Sequence, residues 1–330
     1  MEAALALDVA DRPPASAWGH NYDLEWDTAA LARETVERTA RLGFDFVKLQ
    51  IRATTFAEVL GSEYRCSGDP GREPMLVRQA VNAPEDWARV SSASATPALL
   101  DEQVECLRQV VSGVGAGVPV IQTLFSPVTV AGFLVNRDQR RMLQDLRRQT
   151  ELVRAALARI ADMVARFGRA SIEAGAAGVF YAITGYGSAD AMPLPEYEEL
   201  LLPLDRQVLD ACSGGWFNML HLCGPRQHFK LASALPAQCV NWQLQDPGNP
   251  GLAEGRRLSG KAVAGGLHRH SPIADGSPEQ VMEQAEAALS ETGGHGHLLT
   301  PGCSVSPWPS DREDNLRAMV QAASARRYDA

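Results

Sequence analysis

Long apolar runs are missing from this chain. No stretch of about 18 consecutive apolar residues occurs, so no helix is expected to span a bilayer. A basic excess is missing as well. Lys and Arg number 31 against 40 Asp and Glu, a net charge of -9, which argues against nucleic acid or an anionic membrane surface as partner. The opening Met1-Glu2-Ala3-Ala4-Leu5 lacks the basic start and apolar stretch of a secretory signal. The six Cys (66, 106, 212, 223, 239 and 303) show no paired spacing. A reduced, cytoplasmic protein is therefore expected, with metal binding or reactivity explaining any special Cys. No G-x-G-x-x-G follows an apolar run, and Gly113-Val114-Gly115-Ala116-Gly117 precedes one, the wrong side for a dinucleotide. There is no G-x-x-x-x-G-K-[ST] phosphate loop and no G-x-S-x-G elbow. No repeat, low-complexity tract or composition break marks a linker, so 1–330 reads as a single domain.

What is present is a regular alternation. Helical spacing of apolar residues runs over 27–42, 96–114, 151–174, 195–211, 226–234, 251–257, 278–291 and 311–324. Short apolar runs at 44–50, 118–124, 178–183, 216–221, 238–243, 261–265 and 297–301 read as buried strands. That makes seven strands, and an eighth is sought in the irregular stretch 64–95. Strand–helix alternation implies a parallel sheet covered by helices, and the length suits one (β/α)8 TIM-type barrel. In such a barrel the chemistry sits at the C-terminal ends of the strands.

Chemistry-bearing residues gather at those ends. His221-Leu222-Cys223-Gly224 closes one run, and Pro301-Gly302-Cys303 closes another 80 residues later. Two Cys and one His suffice as ligands for a zinc with its fourth position open. The plain alternative is buried, inert residues, and the spacing alone leaves both readings standing. Gly302 allows the backbone a close approach just before Cys303. His268, in Gly265-Gly266-Leu267-His268-Arg269-His270, is a candidate fourth ligand or general base, the alternative being an exposed polar loop. His295 and His297 open their strand and read as structural or exposed. Tyr186 is a candidate proton donor in a loop, whereas Tyr181 fits packing within its strand. Gln243 and Asp246, which end another run, are candidates for a polar substrate group. Asp45, Lys48 and Gln50 lie on the first strand, and a charge inside a barrel strand is either functional or paired. Trp18 and His20 form a polar-aromatic cluster expected to cover the barrel mouth.

At these residues the chain resembles the uroporphyrinogen decarboxylase superfamily, and within it the zinc-dependent methylcobamide:thiol methyltransferases of the coenzyme M type. The resemblance rests on Trp18-Gly19-His20, Gly43-Phe44-Asp45-Phe46-Val47-Lys48, Val120-Ile121-Gln122-Thr123-Leu124-Phe125-Ser126-Pro127, Ala174-Gly175-Ala176-Ala177-Gly178-Val179-Phe180, Leu220-His221-Leu222-Cys223-Gly224, Gly265-Gly266-Leu267, Pro301-Gly302-Cys303 and Asn315-Leu316-Arg317-Ala318. It implies a (β/α)8 barrel with zinc on His221, Cys223 and Cys303. It implies methyl transfer to a substrate thiol from a corrinoid carrier protein. True uroporphyrinogen decarboxylases carry an N-terminal Arg-rich clamp for carboxylates. They also carry an Asp for the pyrrole nitrogens. Here Trp18-Gly19-His20-Asn21-Tyr22 has no Arg, and Arg52 aligns with that Asp. A guanidinium cannot accept N–H hydrogen bonds. Uroporphyrinogen decarboxylation is therefore not expected.

The reading is a zinc-dependent methyltransferase that activates a thiol. Its expected catalytic groups are His268, Tyr186 and Arg52, and its expected substrate-binding groups are Trp18, His20, Gln50 and Gln243. Expected partners are a small-molecule substrate, a corrinoid carrier protein and a second copy of the chain in a homodimer. Two alternatives stay open. One is zinc-dependent decarboxylase or lyase chemistry on a small acid, and the other is a carrier-docking module with a structural metal.

Overall fold

The computed structural model describes residues 1–330 except 9, 93–96, 307, 309–312 and 327–330. Nine strands occur among them: β1 Val47–Leu49, β2 Glu63–Arg65, β3 Met75–Arg78, β4 Val120–Phe125, β5 Gly178–Thr184, β6 Met219–Cys223, β7 Cys239–Trp242, β8 Ala262–Leu267 and β9 His297–Pro301. Seven form one parallel sheet in the order β1-β4-β5-β6-β7-β8-β9. Almost every residue of that sheet is buried, because helices cover one face and the other face turns inward. Side chains alternate between the faces with a period of two. Along β5, Val179, Tyr181 and Ile183 pack outward under helices, while Phe180 and Ala182 join the interior cluster. Trp18, Phe46, Ile121, Phe217, Met219, Cys239, Ala262, Ala264 and Leu298 complete that interior, a packed plug of the kind that fills a barrel.

The seven-stranded sheet curls as a TIM-type barrel requires, but the eighth strand sought in 64–95 is not part of it. β2 and β3 there pair antiparallel with each other in a separate hairpin. The gap between β9 and β1 is spanned by the N-terminal segment instead. Leu299 N–H donates to Pro14 O at 2.8 Å, and Ser16 N–H donates back to Leu299 O at 3.2 Å. On the other side, Asp45 N–H donates to Ala15 O at 2.9 Å and Ser16 Oγ donates to Phe46 O at 2.6 Å. Asp45 accordingly precedes β1. Its carboxylate takes Arg12 at 2.5 Å and the Ala15 N–H at 2.7 Å.

The helices follow the periodicity with local corrections. The helix expected over 195–211 divides into Leu194–Leu200 and Leu202–Ala211. Pro203 lies in the first turn of the second segment, where its missing N–H costs nothing and its fixed φ starts a new helix. The starts expected at Thr96 and Asp311 fall outside the described residues, and those helices are described from Pro97 and Glu313. The strand expected at 216–221 begins only at Met219, so His221 and Cys223 lie within β6 rather than beyond it. No helix is long and apolar enough to cross a membrane among the described residues.

Candidate metal centre

His221 and Cys223 are two residues apart on β6, so both point inward with Met219. β6 and β9 are separated by β7 and β8, yet curling brings Cys303, two residues past β9, back over the same space. One ligand atom from each of His221, Cys223 and Cys303 lies within 4.8 Å of the others, and the two sulfurs are 4.0 Å apart. Tetrahedral zinc ligands stand roughly 3.5 Å from one another, so small side-chain rotations suffice. The approach depends on Gly302. A Cβ there would meet Gln243 Cα and Trp242 O at 2.7 Å.

β6 and β7 pair with His221 opposite Asn241. The Asn241 amide donates to Ala264 O at 3.0 Å and Pro301 O at 3.1 Å, which turns its Oδ1 toward the imidazole. His221 Nδ1–H then donates to Oδ1 at 2.6 Å, leaving the Nε2 lone pair available to a metal. The His221 ring also stacks on Phe180, centroids 5.1 Å apart. The two sulfurs face each other at 4.0 Å. Donation from Cys223 holds Cys303 well below the usual thiol range, helped by His221 and Arg269, and the same contact with burial pushes Cys223 up. Arg269 Nη1 stands 3.7 Å from Cys303 Sγ.

The three groups open on a cavity of about 570 Å³ at the C-terminal end of the barrel. Lys48, Gln50, Thr123, Phe180, Arg269, Tyr186, His20, Tyr22 and Trp308 are among the residues that line it. Glu73, another wall residue, is paired with Arg137 at 2.7 Å.

Of the residues expected at the site, His20, Gln50 and Tyr186 line this cavity, and four do not. His268 is off the walls. Its Nδ1 accepts from His270 N–H at 3.2 Å and its backbone N–H donates to Gln284, while burial lowers its pKa. The chain turns after His268, and Arg269 and His270 line the cavity instead. Arg52 turns outward to Glu58, its guanidinium 3.4 Å from the Trp26 ring centroid. Trp18 is part of the barrel plug, edge-on to Phe180 at 5.5 Å, because a large apolar ring fills the closed interior better than the wet mouth. Gln243 lies behind the wall, accepting Arg269 N–H at 3.2 Å. Tyr181 faces outward and donates to buried Asp205 at 2.6 Å. His297 is fully buried against Thr292 and Gly265 O, a structural position.

Arg269, Asn241 and Thr123 carry site positions that the sequence reading passed over, and Lys48 was noted without a role. The available signal was strand parity. Asn241 and Thr123 occupy inward positions on β7 and β4, as His221 does on β6.

The sequence model of the family described as Uroporphyrinogen decarboxylase (URO-D) matches residues 22–326. A methylcobamide:CoM methyltransferase, MtaA, of Methanosarcina barkeri (strain Fusaro) is 25% identical over 293 residues, covering 85% of this chain and 79% of that protein. A solved methyltransferase from Methanosarcina mazei superposes with a TM-score of 0.79 at 21% identity, over 98% of this chain and 96% of the other. A B12-independent methionine synthase from Shewanella sp. W3-18-1 gives a TM-score of 0.64 at 13% identity, over 96% and 98% of the two chains. These last two likenesses concern the fold.

Proposed function

Because the chain belongs to the uroporphyrinogen decarboxylase (URO-D) family, we propose that it is a zinc-dependent methyltransferase whose acceptor is a small thiol and whose donor is a methylated corrinoid. The observation that carries this reading is the convergence of one imidazole and two thiols, within 4.8 Å, beside a cavity deep enough to admit a small substrate. That donor set suits zinc, and three protein ligands leave a position for substrate. Zinc held by His221, Cys223 and Cys303 would lower the pKa of an arriving thiol and keep its sulfur nucleophilic at neutral pH. The similarity to methylcobamide:CoM methyltransferases over 85% of the chain supports the donor.

The chain's own residues supply orientation and charge. Asn241 fixes the tautomer of His221. Arg269, against Cys303, offsets the negative charge that accumulates when a third sulfur joins two thiolates. The barrel plug under Phe180 excludes water from below. The thiol gives its proton to solvent. A bound methylcorrinoid would supply the electrophilic methyl group, the sulfur lone pair making the S–CH3 bond and the corrinoid keeping the electron pair of the bond that held the methyl.

The test is metal analysis of the purified protein, zinc-edge X-ray absorption with and without thiol, and a visible-absorbance assay of corrinoid demethylation. We expect about one zinc per chain and an added sulfur on thiol binding. Cys303→Ser should lose metal and turnover together, because a hydroxyl is a poor zinc ligand beside thiolate. Full zinc occupancy and turnover in that variant would make Cys303 a packing residue and end the proposal.

A further inference from the structure

His20 and Glu25 form a hydrogen-bonded pair at the cavity wall, apart from the residues of the metal centre. The segment that holds His20 runs beside the one that carries Cys303. Gly19 bridges Val305 in parallel, and Val305 N–H donates to Trp18 O at 2.8 Å. His20 and Cys303 both line the cavity. After His20 the chain turns on Asn21, whose carbonyl accepts Glu25 N–H at 3.2 Å. The short 3-10 helix Leu24–Trp26 thereby returns Glu25 to the imidazole. His20 Nδ1 stands 2.6 Å from Glu25 Oε1, and Glu25 Oε2 accepts Ala53 N–H at 2.9 Å.

Glu25 is 1% exposed, and a buried carboxylate depends on the donors it is given. It can only accept, so His20 Nδ1 carries the hydrogen and the neutral ring keeps its lone pair on Nε2. Among the described residues no protein group bonds to Nε2. Tyr22 stacks on the ring, with centroids 4.7 Å apart and planes within 3°, which resists its rotation. The imidazole is therefore fixed in tautomer and plane, one edge on a buried carboxylate and the other unused. A carboxylate so placed steadies an imidazolium as it forms.

Three other groups on these walls are less suited to take a proton. Burial pushes the Tyr186 phenol up, so it holds its own. Lys48 is 6% exposed and donates to Gln50, so a proton taken there has no path to water. His270 Nδ1–H donates to the neutral carbonyl of Ser306, which supports a positive ring less than a carboxylate does. The His20 side chain is 24% exposed and can pass a proton on.

Resting on the thiol reading above, we infer that His20 is the base that takes the proton of the arriving thiol, with Glu25 as its positioning residue. Nε2 accepts the S–H proton, the electron pair of that bond stays on sulfur, and the imidazolium pairs with Glu25. The imidazolium then gives the proton to water and returns to its starting tautomer.

Stopped-flow mixing of the zinc-loaded protein with 2-mercaptoethanol, in weak buffer with phenol red, times the proton as it leaves. His20→Ala should slow release roughly 10²-fold, and added imidazole should restore it. Glu25→Gln keeps an acceptor for Ala53 N–H and should slow release by at least about tenfold. His270→Ala should lose far less. Zinc content and the zinc edge at saturating thiol should stay native in His20→Ala and Glu25→Gln. Long-range proton–nitrogen NMR of the metal-free protein should show His20 as the Nδ1–H tautomer, mixed with the other form in Glu25→Gln. Native-rate release in His20→Ala, a loss that imidazole does not restore, or an Nε2–H tautomer in the native protein would overturn the inference alone. Zinc loss in His20→Ala would do the same, by making the ring a ligand. If the native protein releases no proton and its zinc edge ignores the thiol, the thiol reading falls and this inference with it.

Discussion

At the scale of single residues, the centre is built by side chains that answer to one another in pairs. Asn241 is the partner that fixes the tautomer of His221, and it does not line the cavity. Asn241→Leu is expected to weaken zinc binding about 10–100-fold while leaving the fold intact, measured by competition with a chromophoric chelator. Unchanged affinity would mean that strand geometry alone orients the ring. Lys48 yields a prediction about pH. Its pKa is about 7 in the folded protein against 10.5 in a free side chain. Between those values the unfolded chain binds the extra proton, so stability rises with pH across that window and is lowest, and flat, below it. Lys48→Met should therefore stabilise the metal-free, ligand-free protein at pH 6 by on the order of 2–4 kcal/mol in urea denaturation, the gain fading toward pH 10.5. A gain that grew with pH would reverse the sign and exclude a buried, unpaired ammonium.

Elements decide which of those side chains can meet. The strand ends β6 and β9 bring their cysteines together only because the chain after β9 packs directly on the backbone after β7. Gly302 is the contact, with no room for a Cβ against Gln243 Cα and Trp242 O. Gly302→Ala should push Cys303 away, costing about 1–3 kcal/mol and most of the bound zinc although every ligand remains. Gly117→Ala, where a Cβ would meet nothing within 4 Å, serves as the silent comparison. Thermal unfolding and zinc stoichiometry check both. Full zinc in Gly302→Ala would show that this loop yields freely. Element positions were largely legible in the sequence, since apolar runs at 178–183, 238–243 and 297–301 fall on β5, β7 and β9. Their edges were less so. Trp216 and Phe217 look like the start of β6, but the strand begins at Met219, because Trp216 is 43% exposed and Phe217 turns into the barrel plug.

For the whole molecule, closure is the property that the strand count did not convey. Seven strands make the sheet, and the N-terminal segment joins its edges through Ala15, Ser16 and Asp45. Asp45 anchors that segment by accepting from Arg12 and from Ala15 N–H. Asp45→Ala should cost about 1–3 kcal/mol in urea denaturation, through loss of a charged hydrogen-bond acceptor that leaves Ala15 N–H unpaired. Protease sensitivity near the N-terminus should rise in parallel. No loss of stability would mean that the sheet edges hold without this latch.

The sequence by itself determined the parallel α/β barrel, the positions of most strands and helices, and the His221, Cys223 and Cys303 candidates, because burial on both faces of a strand and local helix periodicity leave direct marks in composition. It also placed Lys48 and Gln50 on the first strand. Only the tertiary structure decided that Arg269 rather than His268 faces the centre, that Arg52 and Trp18 leave it, and that Lys48 enters it with Gln50 rather than a carboxylate as its hydrogen-bond partner. Those outcomes depend on which way a loop residue turns and on what stands across the barrel. Both are set by contacts between residues far apart in the chain, which no local pattern encodes.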